Sequence, residues 1–271
     1  MSWPFMTRRQ FVAATSAGSL AAVASQSIPA AGSLAVKSKL AMRGGDRVLT
    51  EKPSFWPIWD KDRDEQQVLA ALLSGVWSRA EIVAKFEQQY ASLIGAKRCL
   101  ATTNGTMALV TALNALEIGV GDEVLVGPFT FIASVNAIFA AGALPIFVDT
   151  DPDTYLVNPD LMEAKITPNT RAILPVHING LPAAMDRINA IAKKHKLLVV
   201  EDACQAWISE MNGRKGGALG DLGCFSFQNS KNLTCGEGGA VVGNDDSVMN
   251  RAYSFHNFGM AYNEPTAIKG Q

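Results

Sequence analysis

From Arg98 onward, short uninterrupted apolar runs alternate with stretches in which apolar residues recur every three or four positions. The first kind, for instance Leu197-Leu198-Val199-Val200, is the pattern of a strand buried on both faces, and the second that of an amphipathic helix. The runs predict strands at Arg98–Thr102, Glu123–Val126, Pro145–Val148, Ala172–Pro175 and Leu197–Glu201, with two more near Gly223–Phe227 and Gly239–Val242. Helices are predicted at Thr106–Leu116, Ile132–Ala140, Pro159–Lys165 and Met185–His195, and near Asp246–Phe255. Two further helices, Asp62–Leu73 and Ile82–Ile94, precede the first strand. This alternation predicts an α/β fold with one mainly parallel sheet flanked by helices on both faces. In such sheets ligand groups gather at the carboxyl ends of the strands, so the chemistry is to be sought there.

The chain ahead of this body has another character. Arg8-Arg9 is followed, from Phe11 to Val36, by a charge-free stretch rich in Ala, Ser, Gly and Val. A membrane span needs about 20 strongly apolar residues, which this stretch does not supply. A basic start, a mildly apolar middle and small residues around Pro29-Ala30-Ala31-Gly32 form the secretory pattern, and the arginine pair resembles a twin-arginine signal. Residues 1–42 are thus expected to be a signal peptide and lead-in, and residues 43–271 one folded domain. Export to the periplasm or the cell exterior follows. A chance Arg-Arg before an unstructured tail, an uncleaved anchor helix and a cytoplasmic location are the competing readings.

Composition narrows the function. With 48% hydrophobic residues and a net charge of −1, the chain is no disordered segment, and nothing as a whole draws it to nucleic acid. Cys99, Cys204, Cys224 and Cys235 form no paired spacing, and none lies close in sequence to His177, His195 or His256. No metal site is expected, and the cysteines read as small buried hydrophobes.

Three strand ends carry candidate chemistry. Thr103-Asn104-Gly105-Thr106 leads from a strand into a helix: Gly105 permits the sharp turn, and Thr106 stands at the helix start. Free N–H groups and a hydroxyl there suit a phosphate, although Thr106 also serves as a plain helix cap. Glu201-Asp202 places at least one carboxylate at the sheet edge, with capping of the next segment as the alternative. Lys231 follows the aromatic strand Phe225-Ser226-Phe227 and precedes Gly236-Glu237-Gly238-Gly239; a solvated loop lysine would look similar. Taken together, an anion cradle, an acid and an amine are the groups that pyridoxal 5′-phosphate requires. Phe129 or Phe131, on an intervening strand end, is placed to cover its ring.

With those motifs, residues from about Asp46 to Gln271 resemble the DegT/DnrJ/EryC1/StrS family of sugar aminotransferases, which share the fold-type-I architecture of pyridoxal-phosphate enzymes. The matching stretches include Phe86-Glu87, Asn104–Leu109, Phe129-Thr130-Phe131, Pro175-Val176-His177, Glu201–Gln205 and Phe225–Gly239. The resemblance implies that Lys231 forms the Schiff base and shuttles the proton, and that Asp202 pairs with the pyridine nitrogen. It implies further that Gln205 lies near the ring hydroxyl, that Ser226 joins Gly105 and Thr106 on the phosphate, and that Phe131 stacks on the ring. His177 receives no role. Lysine at position 231, where deoxygenating members carry histidine, implies transfer of an amino group from an amino acid, commonly glutamate, to a keto-sugar that is commonly nucleotide-linked. A homodimer is implied, as is a small C-terminal domain that the sequence, ending at Lys269-Gly270-Gln271, is expected largely to lack. A non-catalytic or regulatory cofactor-binding relative and a dehydratase-type relative are the alternative functions.

Overall fold

The computed structural model describes residues 39–52 and 56–261. The expected signal lies outside the described residues up to residue 38, as does the segment from residue 262 to the end. The chain divides into two units, Met1–Pro53 and Ser54–Gln271. In the first, the described residues hold one 3-10 turn, Ala41–Arg43.

The second unit is the predicted α/β domain. Its strands are β1 Arg98–Thr102, β2 Glu123–Val126, β3 Leu144–Phe147, β4 Thr170–Leu174, β5 Leu198–Asp202, β6 Glu210–Met211, β7 Arg214–Lys215, β8 Leu222–Ser226 and β9 Gly239–Gly243. Its helices are α1 Lys61–Leu73, α2 Glu81–Ile94, α3 Gly105–Ala115, α4 Ala133–Ala140, α5 Met185–His195 and α6 Asp246–His256. Seven strands form one sheet in the order β1-β9-β8-β5-β4-β2-β3. Only β9 runs against its neighbours β1 and β8; the β2–β3, β2–β4, β4–β5 and β5–β8 pairs are parallel.

The two-residue period of a strand divides the core cleanly. Val124, Leu174, Val200, Cys224 and Val241 pack with α3, α4 and α6 on one face. Leu125, Ile173 and Val199 pack on the other face with Met185, Ile188 and Ala192 of α5. Phe225, Ala240 and Val242 pack on that side with Tyr90 and Ile94 of α2. Both faces being covered, the strands are apolar throughout, as their sequence requires. Helix α3 is buried around most of its circumference, which is why its sequence is apolar with little periodicity.

Two elements depart from the sequence reading. Pro159–Lys165 is not a helix but two 3-10 turns, Pro159–Leu161 and Glu163–Lys165. Seven residues cannot offset the cost of helix nucleation without a large buried face, and Pro168 stops the run. The hairpin β6–β7, which the hydrophobic pattern does not signal, turns on Asn212-Gly213, both at positive φ (52° and 74°).

Candidate active site

The carboxyl ends of β1, β5 and β8 open on a cavity of about 470 Å³. Its lining includes Gly105, Thr106, Phe131, Asp202, Gln205, Ser226 and Lys231, so the structure brings together all seven residues singled out from the sequence.

The cradle comes from the β1–α3 junction. Asn104, extended at φ −167°, is the cap of α3: its side-chain oxygen accepts the Met107 N–H at 2.9 Å. Thr106 is therefore not the cap, and its hydroxyl is left for other work. Among the described residues, the Gly105 and Thr106 N–H groups have no protein acceptor. They sit at the positive end of an 11-residue helix, a setting that favours an anion. Gly105 serves a different purpose from the one expected. Its φ is not positive, but a Cβ there would lie 2.7 Å from Ser226 Cβ and 2.9 Å from Cys204 Sγ. Close approach of the chain, not the turn, demands glycine. Gly239 meets the same demand across the sheet, where a Cβ would fall 2.4 Å from the Asn104 carbonyl.

The acid comes from β5. Glu201 and Asp202 are neighbours, so the pleat sends their side chains to opposite faces. Asp202 shares the α3 face and lines the cavity. Its Oδ2 accepts from Ser134 Oγ at 2.6 Å and its Oδ1 from the Cys204 N–H at 3.1 Å. Because a carboxylate only accepts, Ser134 donates to it, and Thr130 in turn donates to Ser134 across 2.7 Å. Burial, reinforced by the Asp202 carboxylate, pushes the Cys204 thiol well above its usual range. The thiol thus stays protonated beside the acid.

Glu201, fully buried, is wholly engaged in structure. Its oxygens accept the Gly217, Leu219 and Gly220 N–H groups and the His177 ring. His177 Nδ1 accepts the Ala183 N–H at 3.1 Å, so the ring proton sits on Nε2 and points at Glu201, 2.8 Å away. His177 is a brace between β4 and β5 and does not line the cavity.

The amine comes from the loop after β8. The Lys231 N–H donates to the Gln228 carbonyl at 2.8 Å, and Gln228 Oε1 accepts both the N–H and the hydroxyl of Ser230. The Lys231 carbonyl accepts from Trp56 Nε1 at 2.9 Å. Among the described residues, Lys231 Nζ has no acceptor. Gln205 is oriented by the Asn179 N–H, which donates to its Oε1 at 2.8 Å. Phe131 lines the cavity, largely exposed, whereas Phe129 lies outside the lining and packs on Tyr155 with ring centroids 5.5 Å apart.

Sequence reasoning missed Ser134 and Trp56, because each acts through a contact between segments far apart in the chain, and with them Thr130, which acts through Ser134 four positions on. Only Asn104 had a local signal, a cap residue directly before the helix. Among the described residues, no group of three or more His, Cys, Asp or Glu side chains could hold a metal ion. An anion cradle, an acid held by two donors and a primary amine without an acceptor among the described residues, all around one cavity, can anchor a phosphorylated aldehyde at both ends.

A sequence profile described as the DegT/DnrJ/EryC1/StrS aminotransferase family matches residues 59–269. Over 189 residues the chain is 42% identical to GDP-perosamine synthase of Caulobacter vibrioides, covering 69% of this chain and 51% of that one. Over 174 residues it is 48% identical to a UDP-N-acetyl-3-dehydro-alpha-D-glucosamine 3-aminotransferase of Acidithiobacillus ferrooxidans, covering 64% and 47%. Among solved structures it resembles NtdA of Bacillus subtilis with bound cofactor PMP, at TM-score 0.70 and 32% identity, over 80% of this chain and 51% of that one. The chain spans about half the length of the curated relatives it matches.

Proposed function

The chain belongs to the DegT/DnrJ/EryC1/StrS aminotransferase family, and from that membership we propose that it is the cofactor-binding part of a pyridoxal-phosphate aminotransferase acting on a keto-sugar. The observation that carries this reading is the convergence of Lys231, Asp202 and the N-terminus of α3 on one cavity. The residues fit the cofactor by their donor set. Gly105, Thr106 and Ser226 offer N–H and hydroxyl donors for a phosphate, Asp202 an acceptor for a protonated ring nitrogen, and Phe131 a face for the ring. When bound, the cofactor supplies an aldehyde that condenses with amines and a ring that stores an electron pair.

This chain's residues prepare the site for that chemistry. The Ser134 hydroxyl and the Cys204 N–H both donate to Asp202 and fix its carboxyl group in the cavity, where it can accept a hydrogen bond from the ring nitrogen. Lys231, pinned through its peptide but free at Nζ, can bind covalently, leave when a substrate amine arrives, and then carry a proton to or from the substrate carbon. Gln205, fixed by Asn179, can hydrogen-bond the ring hydroxyl.

Two of the relatives are named for nucleotide-linked sugars, a GDP-perosamine synthase and a UDP-N-acetyl-3-dehydro-alpha-D-glucosamine 3-aminotransferase, which supports such an acceptor here; the donor proposed is glutamate, as the family resemblance implies. The reading includes a homodimer and export of the folded, loaded protein by the twin-arginine route. The test is to load the full chain with pyridoxal phosphate and add L-glutamate. The visible absorbance is expected to fall with release of 2-oxoglutarate. An unchanged spectrum with glutamate, glutamine and other amino acids would overturn the proposal.

A further inference from the structure

Lys231 sits in the connection between β8 and β9, and the two ends of that connection are closely tied. The Phe227 N–H donates to the Gly238 carbonyl at 2.8 Å, and the Phe227 carbonyl accepts from the Cys235 N–H at 3.0 Å and the Thr234 hydroxyl at 3.1 Å. Residues 229–233 stand between those ties, and Asn229, Ser230, Asn232 and Leu233 are exposed. Their hydrogen bonds stay inside the connection and converge on Gln228, whose oxygens accept from the Lys231 N–H and from the N–H and hydroxyl of Ser230. One bond reaches further. Trp56 Nε1 donates to the Lys231 carbonyl at 2.9 Å, across 175 positions of sequence. Among the described residues it is the single hydrogen bond between residues 229–233 and the protein beyond their own connection. Resting on Lys231 as the reacting amine, we propose that Trp56 is a positioning residue, whose indole N–H fixes the main chain from which that amine reaches the cavity.

The chemistry of the two side chains carries the assignment. A lysine ammonium rides on a flexible four-carbon stem, so its reach into the cavity is only as well defined as the peptide it leaves from. Nζ has no acceptor among the described residues to hold it from the far end, which leaves the main chain as the part that is held. A displacement of about 1 Å at a reacting group is enough to cost a large factor in rate. Tryptophan suits this task, because its N–H is a donor only and is carried at the edge of a rigid ring with two side-chain torsions. The peptide is thereby gripped on both sides, its N–H by the Gln228 carbonyl and its carbonyl by the indole.

The alternative is that Trp56 is an ordinary surface aromatic. Trp59 supplies the comparison: it is as exposed as Trp56 and makes no hydrogen bond among the described residues. The bond from Trp56 lies at the surface, so removing the indole N–H leaves the Lys231 carbonyl to water rather than stranding it. Such a loss costs little stability, because the penalty for an unmade hydrogen bond falls on buried groups. A positioning role and a purely structural one therefore predict different outcomes for the same substitution.

The test compares the full chain with Trp56→Phe, which keeps a ring and removes the donor, and with Trp59→Phe as the control. Each protein is mixed with pyridoxal phosphate and quenched with borohydride at successive times, and the adduct on Lys231 is quantified by mass spectrometry. Retention of the cofactor on dialysis, the melting temperature and the dependence of the absorbance change on L-glutamate concentration are measured alongside. In Trp56→Phe the adduct is expected to form about three- to tenfold more slowly, the range that one neutral hydrogen bond supports. The maximal rate with glutamate should fall by a similar factor, while the half-saturating concentration, cofactor retention and melting temperature stay as in the unsubstituted chain. Trp59→Phe should match the unsubstituted chain throughout. Equal rates in Trp56→Phe would overturn the inference. So would a lowered melting temperature with weaker retention, which marks a structural role, or an equal slowing in Trp59→Phe. The unsubstituted chain separates the two proposals: if it forms no adduct on Lys231 the aminotransferase reading fails and this inference with it, whereas a normal adduct that forms as fast in Trp56→Phe removes the role of Trp56 alone.

Discussion

Ser134 Oγ donates to Asp202 Oδ2 at 2.6 Å, joining the start of α4 to the end of β5 across 68 positions of sequence. Both residues are buried, and Ser134 has no exposed surface. Removing one donor from a buried carboxylate costs about 1–3 kcal/mol. Ser134→Ala is expected to lower unfolding stability by that amount in a denaturant titration. It should also slow the glutamate-driven absorbance change about tenfold, since each 1.4 kcal/mol is about a factor of ten in rate. A loss of stability with no change in that rate would show that Ser134 supports the fold alone.

Glu201 and Asp202 should respond in opposite ways to loss of charge. Both Glu201 oxygens already receive two donors each, Leu219 and Gly220 N–H on Oε1 and Gly217 N–H with His177 Nε2–H on Oε2. An amide group would aim its own hydrogens at two of these donors. Glu201→Gln is therefore expected to cost about 3–5 kcal/mol of stability. Asp202→Asn should change stability by about 1 kcal/mol and slow the donor reaction by orders of magnitude. Paired unfolding curves and stopped-flow traces decide it. The reverse ranking would place the wrong acid in the site.

Gly105→Ala probes the cradle directly. The added methyl meets Ser226 Cβ at 2.7 Å and Cys204 Sγ at 2.9 Å, so β8 and the loop after β5 must shift. Overpacking of this kind costs about 1–3 kcal/mol. The expected outcome is that loss together with at least tenfold weaker retention of pyridoxal phosphate on dialysis, followed by absorbance. Undiminished retention would remove the phosphate from this helix end.

Ile208 sits at φ +47°, a left-handed conformation in which a β-branched side chain is strained. Its side chain is 56% exposed, so little burial compensates. The left-handed conformation costs about 1–2 kcal/mol in an ordinary residue, and glycine gives back part of the gain through unfolded-state entropy. Ile208→Gly is expected to stabilise by about 1 kcal/mol, raising the melting temperature by about 2–4 °C. A lower melting temperature would show that the position is not strained.

The sheet was legible because strands covered on both faces leave continuous apolar runs: β1 and β2 fall where the pattern puts them, and the others shift by one or two residues. The three chemical strand ends were legible for the same reason, being where each run stops at a polar residue. Which member of Glu201-Asp202 faces the cavity was not, because the two differ only in parity, and parity acquires meaning once α3 is known to lie on the Val200 face. The reversed direction of β9 is set by its pairing with β1, about 140 residues upstream, and leaves no local trace. Ser134 and Trp56 were hidden likewise: an alanine-rich helix start and a surface aromatic look ordinary until the chain folds them against Asp202 and the Lys231 carbonyl.

The most direct measurement is reductive trapping on the full chain. Protein loaded with pyridoxal phosphate is treated with borohydride, digested and mapped by mass spectrometry. The expected result is one phosphopyridoxyl adduct, on the peptide containing Lys231, that disappears in Lys231→Ala. An adduct confined to another lysine, or an unmodified chain that still transaminates, would contradict the assignment of Lys231.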